Sequence, residues 1–69
     1  MEKYIIQKIS DNIKKYRTQK RLTQEILSER ACISSDYLSE LERGKKVPSL
    51  KRLIKIAEAL EIEPYLLLM

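Results

Sequence analysis

Residues 23–44 read TQEILSERACISSDYLSELERG, and this stretch decides the fold. It contains two residues that cap helix N-termini well, Thr23 and Ser34, and each precedes a short run with apolar residues about one turn apart. We therefore predict two helices, over about 24–31 and 35–43, joined by a connection of about three residues. The only glycine of the chain follows the second helix, where a C-cap residue is expected.

Three further helices flank this pair. Upstream, apolar residues recur at steps of three and four over about residues 3–20, which gives that helix one apolar face. Downstream, Ser49 caps a helix over about 50–60, and Pro64 suits the first turn of a short helix over 64–68. Nowhere do β-branched residues alternate with polar ones, so no strand is predicted. The sequence therefore predicts an all-α fold of five helices.

The predicted core is aliphatic, since the chain has no Trp or Phe and only four Tyr. Apolar residues make up 43% of the sequence, which is enough to build a core. The positions that helical spacing predicts to face inward are Ile5, Ile6, Ile9, Ile13, Tyr16, Leu27, Ala31, Leu38, Leu41, Leu50, Leu53, Ile54, Ala57 and Leu60. Cys32, which lies between two apolar residues, is predicted to be a small buried hydrophobe.

Length and composition exclude several classes of function. With 69 residues the chain has room for one small domain, over residues 1–69. It has no His and a single Cys, so it lacks the usual ligands of a zinc site and cannot form an internal disulfide. It also has no Gly-rich phosphate loop and no Ser in a nucleophile motif. We therefore predict that it is not an enzyme and has no catalytic residue, metal or cofactor.

Composition also bears on location and partners. A lone Cys fits a reducing cytosol, and no apolar run approaches the ~20 residues of a membrane span. A cytoplasmic protein with neither a membrane contact nor a small-molecule ligand is therefore expected. The 14 Lys and Arg exceed the 10 Asp and Glu, which favours an acidic partner, although most such charges only solvate a surface.

Two helices joined by about three residues, the second with a polar outer face, form the helix-turn-helix arrangement over about residues 23–43. The motifs LTQ (22–24), SxxLSxLExG (35–44) and PSLxxLxxIAxAL (48–60) together resemble the Cro/repressor type of helix-turn-helix. These are the xenobiotic-response-element-like regulators of bacteria and phages. Each motif alone is a weak signal, but the combination is specific, and the resemblance covers nearly the whole chain.

The resemblance implies a compact five-helix domain of the lambda-repressor-like type that binds operator DNA, usually as a symmetric dimer. The second helix of the motif would lie in the major groove. The positions that match the family's base-reading residues are Ser35, Asp36, Ser39 and Glu40, with Ser34 and Tyr37 at the margin. Arg17 and Glu42 match a pair that forms a partly buried ion pair in some members of the family.

The base-reading residues have alternative interpretations. Asp36 lies in the first turn of its helix, where a carboxylate stabilises the helix dipole, so a structural role and base reading stay equally open. Glu40 lies further along, and base reading through the N4 amine of cytosine is favoured for it. Three roles stay open for Ser35 and Ser39: they read bases, they hold a water molecule, or their small size lets the helix approach the DNA closely. Tyr37 packs partly inside or points its hydroxyl at a phosphate.

Phosphate contacts are predicted at both ends of the motif. Gln24, which begins the first helix of the motif, matches the family's phosphate-binding glutamine. The free N–H groups of a helix N-terminus also attract anions. Basic residues follow the second helix, where the loop would run beside the DNA backbone. The predicted backbone contacts are Gln24, Ser34, Tyr37, Arg43, Lys45 and Lys46.

The sequence departs from the family at three positions where glycine is usual. Arg21, Cys32 and Glu61 stand there, at helix ends or turns that often need a positive φ. A residue other than glycine carries a strain of about 1 kcal/mol in that region, so these turns are expected to be built differently. The departures lie outside the face that is predicted to meet DNA.

The last five residues, YLLLM, are unusually apolar for a chain end. A short helix has one inward stripe, so Leu66 and Leu67 are predicted to fill the core, while Tyr65, Leu68 and Met69 stay exposed. Exposed apolar groups often mark an interface, which predicts a homodimer through these three residues.

Together these predictions describe a small regulator without a sensor domain, or a fragment of a longer repressor. Two recognition helices about 34 Å apart would bind a palindromic double-stranded operator, and the protein would repress by blocking RNA polymerase or activate by touching it. Its size resembles that of controller proteins of restriction–modification systems and of small phage or plasmid repressors. The alternative is a helical protein-interaction module, such as an antitoxin-like partner, whose basic face is incidental.

Overall fold

The chain folds into helices, and the structure, a computed structural model, describes residues 2–69. The α-helices are α1 (Glu2–Gln19), α2 (Gln24–Arg30), α3 (Ser35–Glu42) and α4 (Leu50–Leu60). A 3₁₀ turn (Pro64–Leu67) follows them. No strand occurs in this range, so the predicted all-α class is confirmed. The prediction of a fifth α-helix over 64–68 is wrong, because the hydrogen bonds in this segment join residues three apart, as in a 3₁₀ helix. Residues 2–69 therefore contain four α-helices and one 3₁₀ turn.

Three of the helices begin at the hydroxyl caps that the sequence predicts. The side chains of Thr23, Ser34 and Ser49 each accept a hydrogen bond from the backbone N–H three residues further on, at 3.0–3.2 Å. Each cap satisfies an N–H group that has no partner in the first turn, and its loss typically costs about 1 kcal/mol. The caps therefore place the starts of α2, α3 and α4 at the predicted residues.

All four α-helices end in the same kind of turn, which uses one residue with left-handed backbone. These residues are Arg21 (φ 57°), Cys32 (φ 58°), Gly44 (φ 74°) and Glu61 (φ 58°). After α2, the N–H of Cys32 donates to the carbonyl of Glu29 at 3.2 Å, and the N–H of Ile33 donates to that of Ser28 at 2.9 Å. This pair of bonds is the Schellman motif. The expectation that the three non-glycine turns are built differently is wrong, because they adopt the conformation that glycine would.

An apolar residue follows each non-glycine turn. Leu22, Ile33 and Ile62 stand there, and all three pack against the core. Fully burying an aliphatic side chain stabilises by about 1.5–3 kcal/mol, so even partial burial offsets a strain of about 1 kcal/mol. Cys32 itself is exposed, and its prediction as a buried hydrophobe is wrong because Ile33 is the residue of this turn that packs inward.

The core lies between the four α-helices and the 3₁₀ turn. Its buried apolar residues are Ile9, Ile13, Leu27, Ala31, Leu38, Leu41, Leu53, Ile56, Ala57, Leu60 and Leu67. The inward prediction is wrong for Ile5, Leu50 and Ile54, which are exposed, Leu50 by 72%. Ile56, which the spacing argument missed, is fully buried.

Asn12 fastens the C-terminal 3₁₀ turn to α1. Its Nδ2 donates to the backbone carbonyl oxygen of Leu67 at 2.9 Å, and both the amide and the Leu67 side chain are buried. Across residues 2–69, every buried side-chain nitrogen or oxygen has a hydrogen-bond partner, which is usual in a well-packed interior. None of the helices described is long and apolar enough to cross a membrane.

Candidate nucleic-acid interface

Helix α3 divides its side chains between the core and the outside. Leu38, Leu41 and Glu42 are buried. With about 100° of rotation per residue, the four residues predicted to read bases fall on the other side of the helix. These residues are Ser35 and Asp36, which are exposed, and Ser39 and Glu40, which are half-buried. They share one polar, outward face.

Glu42 points inward from α3, and Arg17 of α1 neutralises it. Nε of Arg17 donates to Oε2 of Glu42 at 2.7 Å, and its Nη2 donates to Oε1 at 3.1 Å. The two side chains are 13% and 3% exposed. Nη1 of Arg17 also donates to the carbonyl oxygen of Leu22 at 2.7 Å, just before α2. The structure thus places together the two residues that the resemblance pairs, and it links them to the entrance of α2.

Gln24, at the start of α2, joins the same cluster. Its Nε2 donates to Oε1 of Glu42 at 3.0 Å. The sequence gives no sign of this bond, because the two residues stand 18 positions apart. An amide nitrogen carries two hydrogens, so the second stays available for an anion. The bond orients Gln24 beside α3, and its phosphate contact stays a prediction.

Glu40 is paired on the outer face of α3. Its Oε1 lies 3.4 Å from Nζ of Lys46, in the loop that follows the helix. The same Nζ is 5.8 Å from the ring centroid of Tyr37, which is half-buried, and the guanidinium of Arg52 is 5.0 Å from that centroid. Both distances are within the range of cation–π contacts. Arg52 is missing from the predicted site, because only the tertiary fold brings the start of α4 beside Tyr37.

These side chains line an open groove of about 440 Å³ between α3 and the start of α4. Asp36 and Glu40 supply negative charge to it, while Lys46 and Arg52 supply positive charge. In the part of the chain that the structure describes, no three His, Cys, Asp or Glu side chains come close enough to hold a metal ion. The surface beside the residues predicted to read bases is therefore mixed in charge rather than uniformly basic.

Further positive charge stands where α3 ends. Arg43 and Lys45 are both exposed. Nε of Arg43 donates to the carbonyl oxygen of Ser39 at 3.3 Å, so the Arg43 side chain lies back along the helix. Lys45 follows the left-handed Gly44, where the chain leaves the helix. Together with Lys46, these residues place three cations at and just beyond the C-terminal end of α3.

The C-terminal residues divide between the core and the surface. Leu67 is buried and Leu66 half-buried, while Tyr65, Leu68 and Met69 are exposed. Other large apolar side chains are also exposed, namely Tyr4, Ile5, Ile26, Val47, Leu50 and Ile54. The three C-terminal residues are thus accessible to a partner, and their role in a homodimer stays a prediction.

Two relatives of known sequence match this chain over about four fifths of its length. An uncharacterized HTH-type transcriptional regulator of Sinorhizobium fredii is 39% identical over 54 residues, which cover 78% of this chain and 70% of that protein. The immunity repressor protein of Bacillus phage phi105 is 40% identical over 55 residues, which cover 80% of this chain and 38% of the repressor. The chain thus matches well under half of the phage protein.

Solved structures share the fold. The restriction-modification controller protein C.AhdI from Aeromonas hydrophila superposes with a TM-score of 0.87 at 35% identity, over 90% of this chain and 94% of the controller. The clp gene regulator ClgR from Corynebacterium glutamicum superposes with a TM-score of 0.87 at 31% identity, over 93% of this chain and 83% of the regulator.

The family match itself extends over residues 13–67, whose sequence fits the family described as helix-turn-helix. That range begins within α1 and includes α2, α3, α4 and the C-terminal 3₁₀ turn. The predicted resemblance is therefore confirmed, and this chain belongs to the helix-turn-helix family of transcriptional regulators.

Proposed function

We propose that this chain is a DNA-binding transcription regulator, rather than an enzyme, and that α3 reads base edges in the major groove. The observation that carries the proposal is the division of α3 into a polar outer face and an inner face anchored by Leu38, Leu41 and Glu42. An α-helix fits the major groove of B-DNA, which is about 12 Å wide. The relatives named as a transcriptional regulator and an immunity repressor support this role.

Base reading falls to the outer face of α3. Glu40 accepts a hydrogen bond from the N4 amine of cytosine, the pairing that a carboxylate makes in the major groove. Ser35 and Ser39 are small donors and acceptors that let the helix approach closely. Asp36 stands in the first turn, where it stabilises the helix dipole and also reaches the groove.

Backbone contacts surround this face. Gln24 offers its free amide hydrogen at the N-terminus of α2, where a helix dipole favours an anion. The three cations that follow α3 neutralise phosphates beside the groove. The residues proposed for backbone contact are Gln24, Ser34, Tyr37, Arg43, Lys45 and Lys46.

Two copies of the chain bind one palindromic operator in this proposal. Tyr65, Leu68 and Met69 form the contact between the copies, which sets two α3 helices about 34 Å apart on one face of the duplex. Such a dimer represses by blocking RNA polymerase or activates by touching it. The alternative of a protein-interaction module receives no support from the named relatives.

Binding to random duplex DNA at increasing salt tests the electrostatic part of the proposal. Each phosphate neutralised adds about 0.9 to the slope of log K against log salt, so we expect a steep fall in affinity. Lys45→Met should lower that slope by about 0.9 per bound chain. The matched control is Lys55→Met on α4, which lies outside the proposed interface and should leave the slope unchanged. A flat response to salt in the wild-type protein would contradict DNA binding.

Selection of bound sequences from a random duplex pool tests specificity. We expect the wild-type protein to enrich one motif with two inverted half-sites about one helical turn apart. A motif with a single half-site would overturn the dimer, and enrichment of no motif would overturn base reading by α3.

A further inference from the structure

We propose that Lys46 sets the base preference of α3 by holding the Glu40 carboxylate in position, in addition to any contact with phosphate. The inference rests on the proposed function, and it assigns a specificity role to a residue outside the recognition helix. Arg43 and Lys45, its neighbours in the basic group after α3, lack this contact.

The geometry gives Lys46 two anchors. Its Nζ lies 3.4 Å from Oε1 of Glu40 and 5.8 Å from the ring centroid of Tyr37. A lysine side chain is flexible, and contact with both a carboxylate and a ring face confines its ammonium group to the outer side of α3. Arg52, 5.0 Å from the same ring, adds a second cation on Tyr37. Lys46 is therefore placed by α3 itself rather than free in solvent.

This ion pair does little for stability. The side chains of Lys46 and Glu40 are 52% and 37% exposed, and exposed pairs contribute little because water and salt screen them. The pair instead determines the orientation of the Glu40 carboxylate. Glu40 is half-buried on the face that is proposed to enter the major groove, so its orientation decides which base edge it meets.

The carboxylate can serve Lys46 and a base at once. Lys46 contacts Oε1 of Glu40, and the Glu40 side chain is 37% exposed. A carboxylate has about four acceptor positions on its two oxygens, so Oε2 remains able to accept from the N4 amine of cytosine. The adjacent ammonium also reduces the repulsion between the carboxylate and the phosphates that flank the groove. Without Lys46, Glu40 loses its ion-pair partner, so its carboxylate is less restrained and its repulsion from the phosphates is stronger.

Lys45 provides a matched comparison. It stands next to Lys46 in the same loop, is exposed, and has no ion pair within residues 2–69. If both lysines only neutralise phosphates, their removal has the same effect on every sequence. If Lys46 positions Glu40, its removal changes which sequences are preferred.

The experiment compares motifs selected from a random duplex pool by the wild-type protein, Lys45→Met, Lys46→Met and Lys46→Arg. We expect Lys45→Met to keep the wild-type motif while binding every site more weakly. Lys46→Met should reduce discrimination about three- to tenfold at one base-pair position of each half-site, a part of what one good base contact supplies. Lys46→Arg keeps a cation at this place and should restore the discrimination.

Glu40→Gln tests the same pair from the other side, with thermal unfolding followed for every variant. It should change preference at the base-pair position that Lys46→Met changes, and the double variant should lose no more than either single one. An unchanged motif for Lys46→Met would overturn the inference, as would an effect at a different position from that of Glu40→Gln. A wild-type protein that selects no motif would instead overturn the proposed function.

Discussion

Three single residues carry backbone strain that glycine would remove. Arg21, Cys32 and Glu61 adopt φ of 57–58° at the ends of α1, α2 and α4, in the region where a Cβ is crowded. The sequence indicates where these positions are, through the resemblance, but not how they fold. The left-handed conformation could have been predicted from the apolar residue that follows each position. That side chain packs on the core and holds the strained turn in place.

We predict that Arg21→Gly, Cys32→Gly and Glu61→Gly each stabilise the protein. The expected gain in the free energy of unfolding is several tenths to about 1 kcal/mol, since relief of the left-handed strain exceeds the added entropy of the unfolded chain. Urea denaturation measures it. Lys14→Gly, in the interior of α1, is the control and should destabilise by about 1 kcal/mol. Destabilisation by all three variants would refute the assignment of strain.

At the scale of elements, helix boundaries follow from local chemistry, whereas helix facing does not. Helix α4 spans the predicted residues 50–60, between the Ser49 cap and Glu61, whose left-handed backbone the sequence did not predict. Its apolar residues, however, recur at three- and four-residue steps that accommodate Ile54 and Ile56 equally. The apolar stripe of α4 is wider than the part of the helix that its neighbours cover. The angle at which α4 crosses those neighbours therefore decides whether Ile54 or Ile56 is buried. That angle is a property of the packing, and the same limit hid Arg52 beside Tyr37.

The cluster of Arg17 and Glu42 joins α1 to α3 and to the entrance of α2, so we predict that it supports the whole motif. Arg17→Met or Glu42→Met alone should destabilise by about 3–5 kcal/mol, because each leaves a buried charge without its partner. The double variant should be much less destabilised, since no charge is then stranded. Urea denaturation of the three variants measures the difference.

The exposed pair of Lys46 and Glu40 is the control for this prediction. Its removal by Lys46→Met should change the free energy of unfolding by less than about 1 kcal/mol. If the Arg17 and Glu42 double variant loses as much stability as the sum of the two single variants, the ion pair is not the reason for their cost.

At the scale of the whole molecule, we predict a homodimer through Tyr65, Leu68 and Met69. Sedimentation equilibrium at high micromolar concentration should give twice the mass of the 8.2 kDa chain. Leu68→Glu should give the monomer, because a charge buried in a small apolar contact is costly. The control is Ile26→Glu, at an exposed apolar position on α2, which should leave the mass unchanged. A wild-type monomer would contradict the predicted interface.

Under the proposed function, the two faces of α3 also make its base preference transferable. The inner face holds the helix through Leu38, Leu41 and Glu42, so the outer residues can be exchanged for those of a relative without rebuilding the core. An exchange limited to the helix would nevertheless leave Lys46 opposite a foreign residue at position 40. The smallest segment that would transfer the proposed base preference together with the Lys46 contact is therefore residues 34–46. This segment runs from the N-cap of α3 to the lysine beyond the helix.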